Sequence, residues 1–83
     1  MNSLNFGHIL ISEIKIGVRL RKELGDIDSL AKSMEDLGLL QPIVVTQDLW
    51  LVDGERRLTA AKKLAWTEIP AVVMPFNYSG ALA

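Results

Sequence analysis

The chain has 83 residues, 49% hydrophobic content and a formal net charge of −1, which together suit one thin-cored domain and exclude both disorder and bulk electrostatic capture of nucleic acid. It has no cysteine, which excludes disulfides, a thiol nucleophile and zinc–thiolate sites and leaves a reducing cytoplasm as the expected location. No apolar run approaches the roughly 20 residues of a membrane span, and the opening residues lack the basic-then-apolar layout of a secretory leader.

Residues 8–16 are rich in β-branched side chains, with alternation at Ile9 and Ile11 and again at Ile14 and Ile16. This predicts a strand bent near Ser12 and Glu13. A polar loop follows over 17–25, opened and closed by glycines. Asp26 is a good N-cap for a helix over 27–37, whose apolar positions Ile27, Leu30, Ala31, Met34 and Leu37 follow helical spacing before Gly38 stops it. Pro42 introduces a strand at 43–46, and Gln47 and Asp48 separate it from another at 49–52, as in a hairpin. A second helix is predicted over 55–65 and a last strand over 69–74, closed by Pro75. The pattern predicts a domain over 1–75 and a loose tail over 76–83. The order strand, helix, strand, strand, helix, strand is a compact α+β layout: a mixed sheet with two main helices.

The octapeptide Asp53-Gly54-Glu55-Arg56-Arg57-Leu58-Thr59-Ala60 lies where the third strand hands over to the second helix. The first amide groups of a helix lack internal partners, and the macrodipole is positive there. A glycine permits close approach to the backbone, and Arg56 and Arg57 add charge, so the junction suits an anion, most naturally phosphate. Gly54 has a second reading, a turn glycine required for backbone shape. Positive charge is also clustered at Lys15, Arg19, Arg21 and Lys22, while Asp26, Asp28, Glu35, Asp36 and Asp48 lie between the two groups. Clustering favours a localised anion site over a broad DNA-binding face; the alternative is a solvated surface.

The segments Leu30-Ala31-Lys32-Ser33-Met34, Gly38-Leu39-Leu40-Gln41-Pro42-Ile43-Val44-Val45 and Gly54-Glu55-Arg56-Arg57-Leu58-Thr59-Ala60 resemble, in order and spacing, the N-terminal domain of ParB proteins, of the ParB/sulfiredoxin-like fold. The likeness runs over about 9–73. It implies a domain that binds CTP with magnesium, hydrolyses it slowly and closes a clamp on DNA, with DNA contacted through regions outside this chain. It also implies that Gly54, Arg56 and Arg57 hold nucleotide phosphates and that Glu55 serves hydrolysis. Arg19 and Arg21 fall near the nucleotide by the same resemblance. Two segments depart from the pattern: Val18 precedes Arg19, and 76–80 replace a Glu-Asn-Ile-Gln-Arg-like stretch. Sulfiredoxin carries a catalytic cysteine, so a chain without cysteine is excluded from that chemistry.

Each candidate has an ordinary alternative. Arg56 and Arg57 could form surface ion pairs only, and Glu55 could be a first-turn glutamate favoured by the helix dipole. Thr59 could give its hydroxyl to phosphate or face solvent. Gln41, ahead of Pro42, could read a base or ribose, or cap the preceding helix. Asp53 suits a turn-forming acceptor. Trp50 and Trp66 read as packing residues, and His8 has no catalytic companions. Three functions follow: a nucleotide-responsive module of a DNA-associated partitioning, plasmid or phage protein; a phosphotransferase or nucleotidase of the serine-kinase type; and an interaction domain that binds no nucleotide. Self-association as a homodimer is left open.

Overall fold

The computed structural model describes residues 5–17, 24–38 and 41–78. Strand β1 (Asn5–Leu10) runs into a single 3-10 turn at Ile11–Glu13, where the bend was expected. Helix α1 (Ile27–Leu37), strands β2 (Ile43–Val45) and β3 (Leu51–Asp53), helix α2 (Glu55–Lys63) and strand β4 (Glu68–Val73) follow. The four strands form one mixed sheet in the order β1-β4-β2-β3. β4 lies antiparallel to β1 and parallel to β2, while β2 and β3 make an antiparallel hairpin with a register irregularity at Val44 and Val45. This is the α+β architecture with two helices that the sequence indicates.

Local chemistry accounts for α1. The Asp26 carboxylate accepts the Ser29 amide at 3.0 Å and the Ser29 hydroxyl at 2.7 Å, which satisfies a first-turn donor. Those two bonds, the amide first, hold the Asp26 carboxyl below its ordinary value, with a smaller contribution from the Arg56 charge. At the other end Gly38 turns the chain at φ 79°, and its amide donates to the Met34 carbonyl at 2.7 Å.

Helix α2 ends earlier than its residues suggest. Ala65 adopts a left-handed conformation at φ 60°, where the amides of Ala65 and Trp66 donate to the carbonyls of Lys62 and Ala61 at 3.0 Å each. That pair of bonds is a Schellman closure with alanine where glycine is usual. Trp66 packs half-buried against the core, which supplies the hydrophobic contact that usually accompanies such an ending.

The core joins Ile43, Val45 and Leu51 of the hairpin, Ile69 and Ala71 of β4, Leu58, Ala60 and Ala61 of α2, and Ala31 and Met34 of α1. α1 packs chiefly on α2, and α2 lies against β2. Leu37, the last apolar position predicted for α1, is 66% exposed: it belongs to the final turn, past the part of the helix that α2 covers.

Residues 76–78, placed by the sequence pattern in a loose tail, are tied to the turn of the hairpin. The Gln47 amide donates to the Phe76 carbonyl at 2.9 Å, and the Tyr78 amide donates to Asp48 Oδ1 at 2.9 Å. The Tyr78 ring stacks on Trp50 with centroids 4.5 Å apart. Buried Thr46 donates its hydroxyl to Asp48 Oδ1 at 2.5 Å and accepts the Trp50 amide at 3.0 Å. The Thr46 hydroxyl and then the Tyr78 amide lower the Asp48 carboxyl. Lys15 lies 5.5 Å from the Trp50 ring, and its backbone bridges to Leu49 and Leu51 at 2.8 Å each. No periodic pattern announces this clasp, because it is built from contacts between segments distant in sequence.

Candidate functional site: an arginine-lined hollow at the start of the second helix

Gly54 joins β3 to α2 and is buried, with φ 106° and ψ 27°. A Cβ there would lie 2.7 Å from Ile43 Cγ2 and 3.2 Å from Ile43 Cα. Glycine is therefore required twice, by the left-handed backbone and by the close approach of the turn to β2. Its carbonyl accepts the Leu58 amide at 2.8 Å, the first turn of α2. The packing demonstrates the backbone role of this residue.

The turn places two arginines at one hollow beside α1. Arg56 is exposed and donates from Nε to the Leu24 carbonyl at 2.7 Å. Arg57, with 24% of its side chain exposed, has Nη2 3.8 Å from Asp53 Oδ2. Its Nη1 donates to Gln41 Oε1 at 3.3 Å. Arg57 Nε is buried without a hydrogen-bond partner among the described residues. An unpaired buried N–H retains its desolvation cost of about 1–3 kcal/mol, so this end of the molecule has donor capacity that its own fold does not use.

Arg56, Arg57 and Gln41 line one side of a hollow of about 310 Å³, and Leu30, Ser33, Met34 and Gly38 line the other. Among the described residues no carboxylate lines it. The wall is thus cationic on the α2 side and largely apolar on the α1 side, with the Ser33 hydroxyl and the Gln41 amide between. Guanidinium stays charged at any physiological pH and offers a planar fork of donors suited to phosphate. The arrangement can hold an anionic group joined to a less polar body.

The sequence-derived candidates divide accordingly. Arg56, Arg57 and Gln41 come together around the hollow, whereas Gly54, Glu55 and Thr59 are not part of its lining. Glu55 and Thr59 are both half-buried on α2. Arg19 and Arg21 lie outside the described residues. Trp66 packs against the core as expected, and Trp50 packs under Tyr78. Sequence reasoning missed the contribution of α1: Leu30 and Met34 were assigned to the core, Gly38 to a helix stop, and Ser33 to nothing. Ser33 does lie within three residues of Leu30 on the same helix, but only the placement of α2 turns that face into a wall. Among the described residues no group of three His, Cys, Asp or Glu is placed to hold a metal ion, and no helix is long and apolar enough to cross a membrane.

Comparison with solved structures identifies the fold. The chain is similar to sulfiredoxin from Arabidopsis thaliana, with a TM-score of 0.81 at 19% identity, covering 94% of this chain and 93% of that one. It is also similar to the C-terminally truncated chromosome-partitioning protein ParB from Caulobacter crescentus complexed with CTP-γ-S, with a TM-score of 0.76 at 24% identity, covering 94% and 48% respectively. Among sequences, it is 44% identical over 55 residues to a nucleoid occlusion protein of Geobacillus kaustophilus, covering 61% of this chain and 20% of that protein. A nucleoid occlusion protein of Bacillus cereus is 46% identical over 55 residues, covering 61% and 19%. The chain therefore spans about a fifth of the length of these curated relatives. The model of the ParB N-terminal domain matches residues 3–83, nearly the whole sequence, and the chain belongs to that family.

Proposed function

We propose that this domain is a nucleotide-responsive module of a ParB-type DNA-partitioning protein, and that it holds the phosphate groups of a nucleoside triphosphate in the hollow between α1 and α2. The observation that carries the reading is the pair of guanidinium groups on one wall, with a buried Arg57 Nε still unpartnered among the described residues. Its membership of the ParB N-terminal domain family supports it, as do the CTP-γ-S complex of the Caulobacter protein and the nucleoid occlusion relatives. CTP is the first nucleotide to test.

Arg56 and Arg57 bind phosphate, Gln41 offers its amide to the sugar or base, and Gly54 sets the turn that aims them. The donor set of the hollow, two guanidinium groups, an amide and a hydroxyl, fits a phosphate chain and not a bare dication. Magnesium would accordingly arrive with the nucleotide, held by phosphate oxygens and water, and would offset phosphate charge. Slow hydrolysis would rest on Glu55, the first residue of α2. DNA would be contacted through regions outside this chain, since a net charge of −1 gives little general attraction to a polyanion.

Calorimetric titration with CTP, ATP, GTP and ADP, each with magnesium, tests the reading. The expected result is binding of at least one triphosphate, weakened in Arg56→Ala and Arg57→Ala. A charge-assisted hydrogen bond contributes about 1.5–3 kcal/mol, or roughly a tenfold to hundredfold change in affinity. Absence of binding at millimolar concentration would reject the proposal in favour of an interaction domain. Phosphate transfer to free serine would replace it with the phosphotransferase reading.

A further inference from the structure

Arg56 touches a second part of the molecule besides the hollow. Its Nε donates to the Leu24 carbonyl at 2.7 Å, across 32 residues of sequence. The guanidinium also packs over Gly25, with Nε and Nη2 each 3.9 Å from where a Cβ on that residue would sit. Gly25 has φ 81°, and the next residue is the Asp26 cap of α1. Among the described residues, the terminal nitrogens of Arg56 have no hydrogen-bond partner, and the residue lines the hollow. One residue thus has its Nε edge on the entry to α1 and is also part of the wall of the hollow.

The guanidinium is a rigid fork, so fixing Nε on a carbonyl fixes the plane of the two terminal nitrogens. The converse also holds: an anion on those nitrogens restricts the group and strengthens its bond to Leu24. We infer that Arg56 is a positioning link that couples occupancy of the hollow to the order of the Leu24–Asp26 entry and first turn of α1. The inference rests on the anion-binding reading given under Proposed function. Coupling of this kind is reciprocal, so loosening the entry to α1 weakens anion binding by the same factor by which the anion tightens the entry. Lysine at this position would keep the charge but has one nitrogen, which cannot serve the Leu24 carbonyl and a ligand with fixed geometry. Arg57 lacks this role, because its contacts run to Gln41 and Asp53.

The test is amide hydrogen exchange on the 83-residue chain, with and without inorganic pyrophosphate, with nuclear magnetic resonance shifts at Gln41 and Arg57 reporting binding separately. Wild type should show at least threefold slower exchange over residues 24–30 on saturation. Arg56→Lys, brought to saturation with pyrophosphate as judged by its own Gln41 and Arg57 shifts whatever its loss of affinity, should show no added protection over 24–30. Arg56→Gln is the second variant, should the lysine form not fold, and the same lack of added protection is expected. Added protection over 24–30 in either variant, equal to wild type, overturns the link. Shifts at Gln41 and Arg57 in wild type without protection over 24–30 overturn the link and leave anion binding standing. Absence of shifts in wild type removes both.

Discussion

The two ends of the β2–β3 hairpin hold polar groups under opposite conditions. At the turn end, Thr46, Asp48 and the amides of Trp50 and Tyr78 satisfy one another, and Trp50 is stacked under Tyr78. At the other end, Arg56 and Arg57 each make contacts within the fold beside an open hollow, and among the described residues Arg57 Nε has no hydrogen-bond partner. Polar groups whose hydrogen bonds are complete contribute to folding, because nothing is left for a ligand to exchange. Those left with spare donors and clustered like charge cost stability until an anion arrives. Polar residues thus have a structural role at one end, and the other end is where the proposed anion would bind.

Five substitutions sharpen this contrast. The largest effect is expected from Gly54→Ala, which places a Cβ against Ile43 at a positive φ. Overpacking and left-handed strain together should cost about 2–4 kcal/mol, read as a lowered urea midpoint. If that midpoint stays within error of wild type, the close approach to β2 is wrong. Tyr78→Ala comes next. It removes the stacked ring from Trp50 and should cost about 1–2 kcal/mol while leaving nucleotide titrations unchanged. Weakened nucleotide binding in this variant would dissolve the separation between the two ends.

A smaller effect, dependent on pH, is expected at Asp48. Its folded carboxyl lies below the ordinary value of 3.8, so the stability it contributes is complete above that value and fades as pH falls through the lowered one. Thermal midpoints of wild type and Asp48→Asn should therefore differ at neutral pH and converge in acid below about pH 4, with Asp26→Asn following the same course. A gap of constant size across that window would show that the carboxylate charge has no part in the clasp. The smallest effect should be a gain. Ala65→Gly relieves a left-handed alanine and should stabilise by about 0.5–1 kcal/mol, without change at either end of the hairpin. A loss of stability would mean that Ala65 is not strained.

Much of the molecule was legible because its signals are local. Asp26 and Gly38 bound α1 through contacts within a few residues, so its limits at 27 and 37 follow from the cap and the stop. The arginine pair was visible because a glycine between an apolar strand and a helical pattern marks the junction. Other features needed the chain to meet itself. Ala65 is a strong helix former, and α2 stops before it because Trp66 gains more from the core than another helical turn would give. The strand order β1-β4-β2-β3, the Tyr78 stack, the Leu24–Arg56 bond and the apolar wall from α1 all join residues far apart in sequence. Sequence alone determined the elements and the charge available for an anion, since propensity, capping and periodicity act over one or two turns. Tertiary structure alone decided which donors were used up in folding and which were left facing a hollow, since hydrogen-bond completion depends on what is packed alongside.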